Sequence, residues 1–347
     1  MKKYWLLMIP LSMILVVLSV KIVKREKFEF HQMRVPSKYV WCMGFERDSD
    51  IHPNGYKKSL SKYIDPSKVK KGDIIWVESK KLPEFYRNFF PKINVPFVLV
   101  LTHGDEAFPS SFESQMDIES FLSSSKLAHI FSQNCDYKGS STKVSPLPIG
   151  LDLHSMEKNK DGYFGEKRKS SKRQEFRLDR MIFNAKPTHS RIPKAYVDFQ
   201  LNDRMKNSSL MKSIFHENKT EIFDQIALSG VIDAALKKQP RKALWGKKLN
   251  YAFSICPPGN GYDTHRLWED LLLGCIVIVK TSPLDPLYEG LPVVIIKDWS
   301  EVNATNFSIW IQQYGDAFTN PKYREKLYHT HWMNKIKAES ARVKELL

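Results

Sequence analysis

Cysteine is scarce in this 347-residue chain, which holds four cysteines and no C-x-x-C pair. The cysteines stand far apart, at Cys42, Cys135, Cys256 and Cys275. This spacing excludes the usual zinc-finger patterns and a small scaffold held together by disulfides. The sequence therefore predicts buried free thiols and no metal site.

Acidic residues are also comparatively few: 38 Asp and Glu stand against 54 Lys and Arg, for a net charge of +16. Such an excess predicts an anionic partner, which can be a nucleic acid, a lipid surface or a phosphorylated small molecule. No RNA-binding aromatic motif and no dense basic helix is present, and many lysines fall in loop-like stretches such as Lys158 to Lys172. Nucleic acid is therefore not predicted as a partner.

Only one long stretch lacks charge altogether, and it lies at the amino terminus, from Tyr4 to Val20. Basic residues flank it on both sides, as in a signal anchor. Residues 1–27 are therefore predicted to be a transmembrane segment of a single-pass, type II-like membrane protein. The run is short for a membrane span, so a cleaved signal peptide and a secreted protein remain the alternative. In a eukaryotic host the body would face the Golgi or ER lumen, which agrees with the sequons at Asn207, Asn218, Asn303 and Asn306.

Beyond residues 1–27, apolar runs alternate with helical patterns, as in β-α-β units. Strands are predicted over 73–78, 96–102, 126–132 and 144–151, and, in a second group, over 194–199, 249–255, 275–279 and 292–296. Such alternation predicts an α/β fold with parallel sheets. The Lys- and Ser-rich stretch 158–177 reads as a mobile loop or domain linker. We therefore expect two Rossmann-like domains, at 28–190 and 191–347, the second including a carboxyl-terminal helix.

Polar side chains follow two of the predicted strands directly. His103 and Asp105 come after the second strand, and Gln133 and Asn134 come after the third. In open α/β sheets, ligands bind beyond the carboxyl ends of the strands. These residues are therefore predicted to face a ligand.

The segment from Cys256 to Cys275, CPPGNGYDTHRLWEDLLLGC, reads as a strand end, a glycine loop and a helix start. Asp263 or Thr264 is predicted to cap the helix, and Gly274 to end it. Glycines allow close backbone approach, and a helix start with free N–H groups favours phosphate oxygens. The loop is therefore suited to a diphosphate.

Three polar residues, Arg266, Glu269 and Asp270, share one face of this helix, opposite an apolar stripe. One interpretation is an ordinary solvent-exposed face with an Arg266–Glu269 pair inside the helix. The other follows from their position beside the glycine loop, where a guanidinium can bind phosphate and a carboxylate can bind a ribose diol. Both interpretations stay open at this stage.

Taken together with the following IVIV, the segment 256–275 resembles the carboxyl-terminal donor-binding motif of exostosin-like (GT47-type) glycosyltransferases, including relatives similar to ribitol xylosyltransferase. The resemblance continues through SPLDPLYEGLPVVIIKDWSEV and, more faintly, through PFVLVLTHGDE and PLPIGLD. This chain departs from the pattern at Pro258, where many relatives have a basic residue, and at Val277, where proline is usual.

The resemblance implies a GT-B fold, in which two Rossmann-like domains face a cleft. It also implies transfer of a hexosyl or pentosyl group from a nucleotide sugar to a glycan or other hydroxyl acceptor, with inversion and without a metal or other cofactor. The donor site so implied consists of Gly259, Asn260, Gly261, Asp263, Arg266 and Glu269. A base that deprotonates the acceptor is expected at His103, Asp105 or Glu106, which follow a buried strand; the alternative for these is a turn that caps local backbone.

Three other interpretations are weighed against this one. Asp48-Ser49-Asp50 can be read as the metal-binding carboxylates of a GT-A transferase. Gly259-Asn260-Gly261 begins like a dinucleotide-binding fingerprint, but the third glycine is absent. The third is a catalytically inactive, membrane-anchored relative that binds only a carbohydrate or a partner.

Overall fold

The computed structural model describes residues 37–54, 59–158, 166–167, 169–199, 219–235 and 239–345. The predicted membrane segment 1–27 and the sequons Asn207 and Asn218 lie outside these residues. Within them, no helix is long and apolar enough to cross a bilayer.

Two parallel sheets form the framework of the chain. The strands of the first sheet, in spatial order, are β1 (Ile74–Glu78), β2 (Phe97–Thr102), β3 (Leu127–Gln133) and β4 (Val144–Leu147). The second sheet has the spatial order β6-β5-β7-β8-β9, with β5 (Ile192–Val197), β6 (Ile232–Ala234), β7 (Tyr251–Ile255), β8 (Ile276–Lys280) and β9 (Val293–Ile296). All pairings are parallel. The predicted α/β class with parallel sheets is confirmed.

Helices connect and cover the strands. In chain order they are α1 (Cys42–Arg47), α2 (Leu82–Asn88), α3 (Ile118–Ser123), α4 (His154–Lys158), α5 (Ser171–Phe183), α6 (Lys219–Ala227), α7 (Arg241–Lys248), α8 (His265–Leu272), α9 (Ala304–Tyr314) and α10 (His329–Glu345). β1 and β2 are apolar up to their last residue, and β1, β2 and β3 are almost wholly buried, which is typical of parallel sheets covered on both faces.

The linker predicted over 158–177 is wrong for its second half, since α5 begins at Ser171. Ser170 caps this helix, and its side chain accepts a hydrogen bond from Arg173 N at 3.4 Å. Gln174 and Leu178 lie four residues apart on the buried face. Lys172, Arg173 and Arg180 are exposed on the outer face, which explains why the composition resembled a loop.

One hydrophobic cluster is shared by the two sheets, and each sheet also has a buried cluster of its own. A continuous cluster runs from Ile74 and Val98 of the first sheet through Trp268 on α8 to Val277 of the second. Its members bury apolar surface against residues of both halves of the chain, and this burial stabilises the contact between the halves. The boundaries proposed for the two domains stay a prediction.

The carboxyl-terminal helix α10 packs on the first sheet, against β1, β2 and β3. Ser340 Oγ donates to the backbone oxygen of Gly72 at 2.6 Å, at the entrance to β1. His329, at the helix start, lies 2.9 Å from Asp48 through its Nε2 atom. The chain therefore returns from the second sheet to complete the core of the first.

All four cysteines are buried and free, as predicted. The Cys275 thiol lies beneath the second sheet, and burial raises its pKa to about 12. A thiol held so firmly in the protonated form acts as a small hydrophobic group.

Candidate functional site

The carboxyl ends of β2 and β3 meet in a pair of hydrogen-bonded turns. The backbone N–H of His103 donates to Gln133 Oε1 at 3.2 Å, and Gln133 Nε2 donates to the Gly104 oxygen at 3.1 Å. His103 and Asn134 have positive φ angles, of 64° and 49°. Non-glycine residues seldom adopt this conformation, and where they do it often accompanies a functional turn.

The glycine loop 257–263 of the second half lies directly across this edge. Asn134 Oδ1 accepts a hydrogen bond from Asp263 N at 2.9 Å, and Asn260 Nδ2 donates to Asp105 Oδ2 at 3.2 Å. Asp105 and Asn260 are both exposed. The structure therefore brings a predicted base into contact with a predicted donor-binding residue.

The two glycines of the loop serve different purposes. A Cβ atom on Gly261 would lie 2.5 Å from Asn134 Nδ2, so the absence of a side chain allows the two halves to touch. A Cβ on Gly259 would meet nothing closer than Thr264 Cγ2 at 3.4 Å, an ordinary contact. Gly261 is therefore required for packing, whereas the space beside Gly259 suits the close ligand approach that the sequence predicts.

Asp263 fixes the base of the loop. Its carboxyl group is 3% exposed and accepts hydrogen bonds from Ile149 N at 2.7 Å and from Trp268 Nε1 at 2.8 Å. Burial raises the pKa of Asp263 to about 6, although the surrounding N–H donors oppose the rise. This carboxyl group holds the loop between the sheets, and its role in donor binding stays a prediction.

The start of α8 lacks a side-chain cap. Thr264 occupies the cap position, but its hydroxyl group makes no hydrogen bond to any residue that the structure describes, although the oxygen atom is buried. Of the two predicted cap residues, Asp263 and Thr264, it is Thr264 that occupies the cap position. Neither side chain makes a capping hydrogen bond to the helix. Uncapped N–H groups at a helix start and the positive end of its dipole together favour an anion.

Arg266 lies in the first turn of α8, and its side chain is 23% exposed. Its Nε lies 2.8 Å from Asp198 Oδ1, and Lys248 Nζ lies 3.0 Å from the same oxygen and 2.7 Å from Asp270 Oδ1. Burial raises the pKa of Asp198, but Lys248 and Arg266 together bring it below its ordinary value. A guanidinium has five N–H donors, so Arg266 can serve this network and still bind an anion.

Glu269 lies one turn further along, with a side chain only 12% exposed. It forms an ion pair with Arg241 and accepts a hydrogen bond from Trp245 Nε1 at 2.9 Å. Asp152 N approaches its Oε1 at 3.4 Å. The polar face of α8 is therefore neither exposed to solvent nor joined by an Arg266–Glu269 pair, and the binding of ribose by Glu269 stays a prediction.

The three candidate bases differ in their surroundings. Asp105 faces the glycine loop. Glu106 is folded back beneath the turn, since a Cβ on Gly104 would collide with its Oε2 and with Ser79. His103 faces inward, with Nδ1 3.6 Å from Cys42 Sγ. Of the three, Asp105 is the one in contact with the glycine loop, and the identity of the base stays a prediction.

A group of imidazoles that sequence reasoning missed lies next to His103. The ring centroids of His103 and His154 are 5.4 Å apart, and those of His154 and His265 are 5.5 Å apart. Asp152 accompanies them; burial raises its pKa, but His265, His154 and Arg241 bring it below its ordinary range. The D-x-H spacing directly after a strand was the available signal.

The triplet Asp48-Ser49-Asp50 is occupied by structural contacts. Asp48 pairs with Arg47 at 2.8 Å and with His329, and Asp50 Oδ2 accepts a hydrogen bond from Ile74 N at 2.9 Å. Ser49 is buried, and its hydroxyl group donates to Phe45 O. These carboxylates hold the chain together, so the structure gives no support to the GT-A interpretation.

A surface cavity of about 550 Å³ lies elsewhere, on the loops that follow β2 and β3. Its lining includes the carboxyl groups of Glu113, Asp117, Glu119 and Asp136. Such a concentration of negative charge repels a diphosphate. The cavity is therefore not a candidate for the nucleotide.

No family model matches this chain, and no curated protein matches its sequence. Among solved structures, it is similar to a UDP-forming α,α-trehalose-phosphate synthase from Burkholderia xenovorans, with 13% identity, 82% of this chain and 75% of that chain covered, and a TM-score of 0.41. It is also similar to a trehalose-6-phosphate structure from E. coli bound with UDP-2-fluoro glucose (12%, 80% and 74%, 0.38) and to the N-terminal domain of Candida albicans trehalose-6-phosphate phosphatase (14%, 80% and 70%, 0.36). At these scores the similarities decide neither the fold family nor the activity, and the exostosin-like assignment stays a prediction.

Proposed function

We propose that this protein is a glycosyltransferase of GT-B type that moves a hexosyl or pentosyl group from a nucleotide sugar to a hydroxyl group of a glycan or glycoconjugate. The observation that carries the proposal is the start of α8. There the helix start has no side-chain cap, the hydroxyl group of Thr264 has no partner among the described residues, and Arg266 follows two residues later in the first turn. Helix N-termini with a neighbouring arginine bind phosphate groups well.

In this proposal the diphosphate of the donor lies at the start of α8, against Gly259. Negative charge develops on the diphosphate as the bond to the sugar breaks, and the helix dipole and Arg266 stabilise it. Arg266 is kept in place by Asp198, so it needs little reorganisation. Glu269 would bind the ribose only if its pairing with Arg241 opened.

The acceptor lies on the side of the first sheet, at the ends of β2 and β3. Asp105 takes the proton of the attacking hydroxyl group, whose oxygen then bonds to the anomeric carbon as the diphosphate leaves. Attack from this side, opposite the diphosphate, inverts the configuration. Asn260 holds Asp105 through a hydrogen bond of 3.2 Å and so places the base next to the donor loop.

We also propose that the enzyme is a type II-like membrane protein with its body in the Golgi or ER lumen of a eukaryotic host. The support is the uncharged run from Tyr4 to Val20 with basic flanks. Secretion after cleavage of this segment is the alternative.

The proposal is tested by replacing Thr264 with valine, which has the same shape but no hydroxyl group. Because this hydroxyl group has no partner in the described structure, folding stability should change by less than about 0.5 kcal/mol. Loss of a hydrogen bond to a charged phosphate costs about 1.5–3 kcal/mol, so nucleoside diphosphate affinity should fall about 10- to 100-fold. Thermal shifts of the full-length protein against a panel of nucleoside diphosphates and nucleotide sugars measure both quantities.

Thr264→Ser is the matched control, since it keeps the hydroxyl group and should retain binding. If no nucleotide stabilises the folded wild type, the glycosyltransferase proposal is wrong. If nucleotide sugars bind but are neither hydrolysed nor transferred, the inactive binding protein is the better description. If Thr264→Val and the wild type bind nucleoside diphosphates with equal affinity, the phosphate does not bind at the start of α8.

A further inference from the structure

Three metal-binding side chains converge where the first sheet meets α8. Asp152 and His154 follow β4, and His265 is the first residue of α8. One ligand atom from each lies within 4.8 Å of the other two. Zinc bonds to nitrogen and oxygen are about 2.0–2.2 Å long and point to the corners of a tetrahedron, so two ligand atoms of one ion stand about 3.3–3.6 Å apart. Small side-chain movements bring these three atoms to that distance.

The backbone already orients one of the imidazoles as a metal ligand requires. His265 Nδ1 lies 2.7 Å from the carbonyl oxygen of Gly150, which has no proton to donate and therefore accepts a hydrogen bond from the Nδ1–H tautomer. The lone pair of that ring is then on Nε2. Metal-binding histidines usually have such a partner on the other ring nitrogen, because it fixes the tautomer and the orientation of the ring.

The other two ligands are close together and well anchored. His154 Nδ1 lies 3.3 Å from Asp152 Oδ1, and Asp152 is buried. The N–H of Ser155 donates to the same Asp152 oxygen at 3.0 Å. Arg241 donates to the backbone oxygen of Asp152 and is paired with the carboxylate of Glu269. The surroundings therefore do not exclude a cation.

Two further donors border the group. Cys42 Sγ lies 3.8 Å from His154 Nδ1 and 3.6 Å from His103 Nδ1. Three imidazoles in a row repel one another when protonated, whereas a divalent cation uses their neutral lone pairs together with the carboxylate. An anion would be repelled by Asp152.

We propose that Asp152, His154 and His265 bind a divalent transition metal ion, with Zn²⁺ as the best fit. Nitrogen-rich ligand sets with one carboxylate suit Zn²⁺ and its first-row neighbours, whereas Mg²⁺ and Ca²⁺ prefer oxygen ligands. This site adjoins the phosphate site, since His265 stands between Thr264 and Arg266, but metal binding does not depend on sugar transfer. The sequence predicts no metal here because the ligands come from two distant segments, at 152–154 and 265.

The test uses the full-length protein in detergent, stripped with a chelator and titrated with Co²⁺, whose visible absorption reports its ligands. The wild type should bind a single equivalent of Co²⁺, and Zn²⁺ but not Mg²⁺ should displace it. The double variant His154→Ala with His265→Ala should lose this binding. His189→Ala, which removes an exposed histidine remote from the cluster, is the matched control and should bind as the wild type does.

Absence of Co²⁺ binding by the folded wild type would overturn the proposal, as would equal binding by the double variant. Displacement by Mg²⁺ would contradict the assigned class of metal. If the double variant does not fold, Asp152→Asn replaces it, because the amide oxygen can still accept the Ser155 N–H while the charge is lost. That variant should bind Co²⁺ at least about tenfold more weakly, and unchanged affinity would refute the site.

Discussion

Substitution of Lys248 tests how much the buried charge network next to the proposed donor site contributes to stability. Its side chain is 3% exposed, and its Nζ lies 2.7 and 2.8 Å from the two oxygens of Asp270 and 3.0 Å from Asp198. With Arg266, these residues form a buried set of two positive and two negative charges. Replacement of Lys248 by methionine keeps much of the volume and leaves one carboxylate without a compensating charge.

Breaking a buried ion pair by removing one partner costs about 3–5 kcal/mol. We therefore expect Lys248→Met to lower the free energy of unfolding by this amount. For a unit of about 150–250 residues, each kcal/mol corresponds to about 2–4 °C, so the Tm should fall by about 6 to 20 °C. Differential scanning fluorimetry and urea denaturation followed by tryptophan fluorescence measure the two quantities.

The neighbouring residue offers a matched control. Lys247 is exposed and approaches only the ring of Tyr196, at 5.7 Å. Lys247→Met should therefore change stability by no more than about 0.5–1 kcal/mol. The contrast between two adjacent lysines isolates burial and pairing from the general effect of losing a positive charge.

The double variant Lys248→Met with Asp270→Asn tests the mechanism. Removing the uncompensated carboxylate should restore at least about 1 kcal/mol relative to Lys248→Met alone, since residues in one network are coupled. Asparagine can still accept the hydrogen bond that Ser254 donates to Asp270. Equal stability of the two single lysine variants, or a double variant less stable than Lys248→Met, would refute the reasoning.

Two further predictions follow from the structure. Gly261→Ala should lower the Tm by an amount equivalent to about 1–3 kcal/mol, because the added methyl group collides with Asn134, whereas Gly259→Ala should fold normally; equal Tm values would contradict the packing argument. Burial raises the pKa of Glu175 to about 7, above its ordinary 4.5, so its contribution to stability is complete at low pH and is lost as the pH rises through 7. Between about pH 5 and about pH 8, the Tm of the wild type should therefore fall more than the Tm of Glu175→Gln. Glu113 is exposed, so Glu113→Gln is the control and should behave as the wild type. If Glu175→Gln keeps the pH dependence of the wild type, this carboxyl group is not responsible for it.

The sheets could be predicted from the sequence because their strands are continuous apolar runs. β2 and β8, for example, were placed within a residue or two of their observed bounds. The short strand β6 was missed because three residues, one of them Asp233, give no period. Helix α5 was missed because its outer face is rich in Lys, Arg and Ser, and composition outweighed the four-residue spacing of its buried side chains.

The candidate site could be predicted only in outline. The glycine loop, the helix start and the ends of β2 and β3 were recognised, since each is a local pattern. The surroundings of Arg266 and Glu269 were not, because their partners Asp198, Lys248 and Arg241 come from other segments. The group formed by Asp152, His154 and His265 was missed for the same reason: only the fold brings these positions together.

Because α10 returns to the first sheet, the chain passes between the two sheets twice, once ahead of β5 and once after β9. The two halves are therefore connected at two places along the chain. A protein shortened before residue 329 would lose part of the core of its first sheet, at Trp332 and Ile336. The last helix thus belongs, in packing, to the half from which the second sheet separates it in the chain.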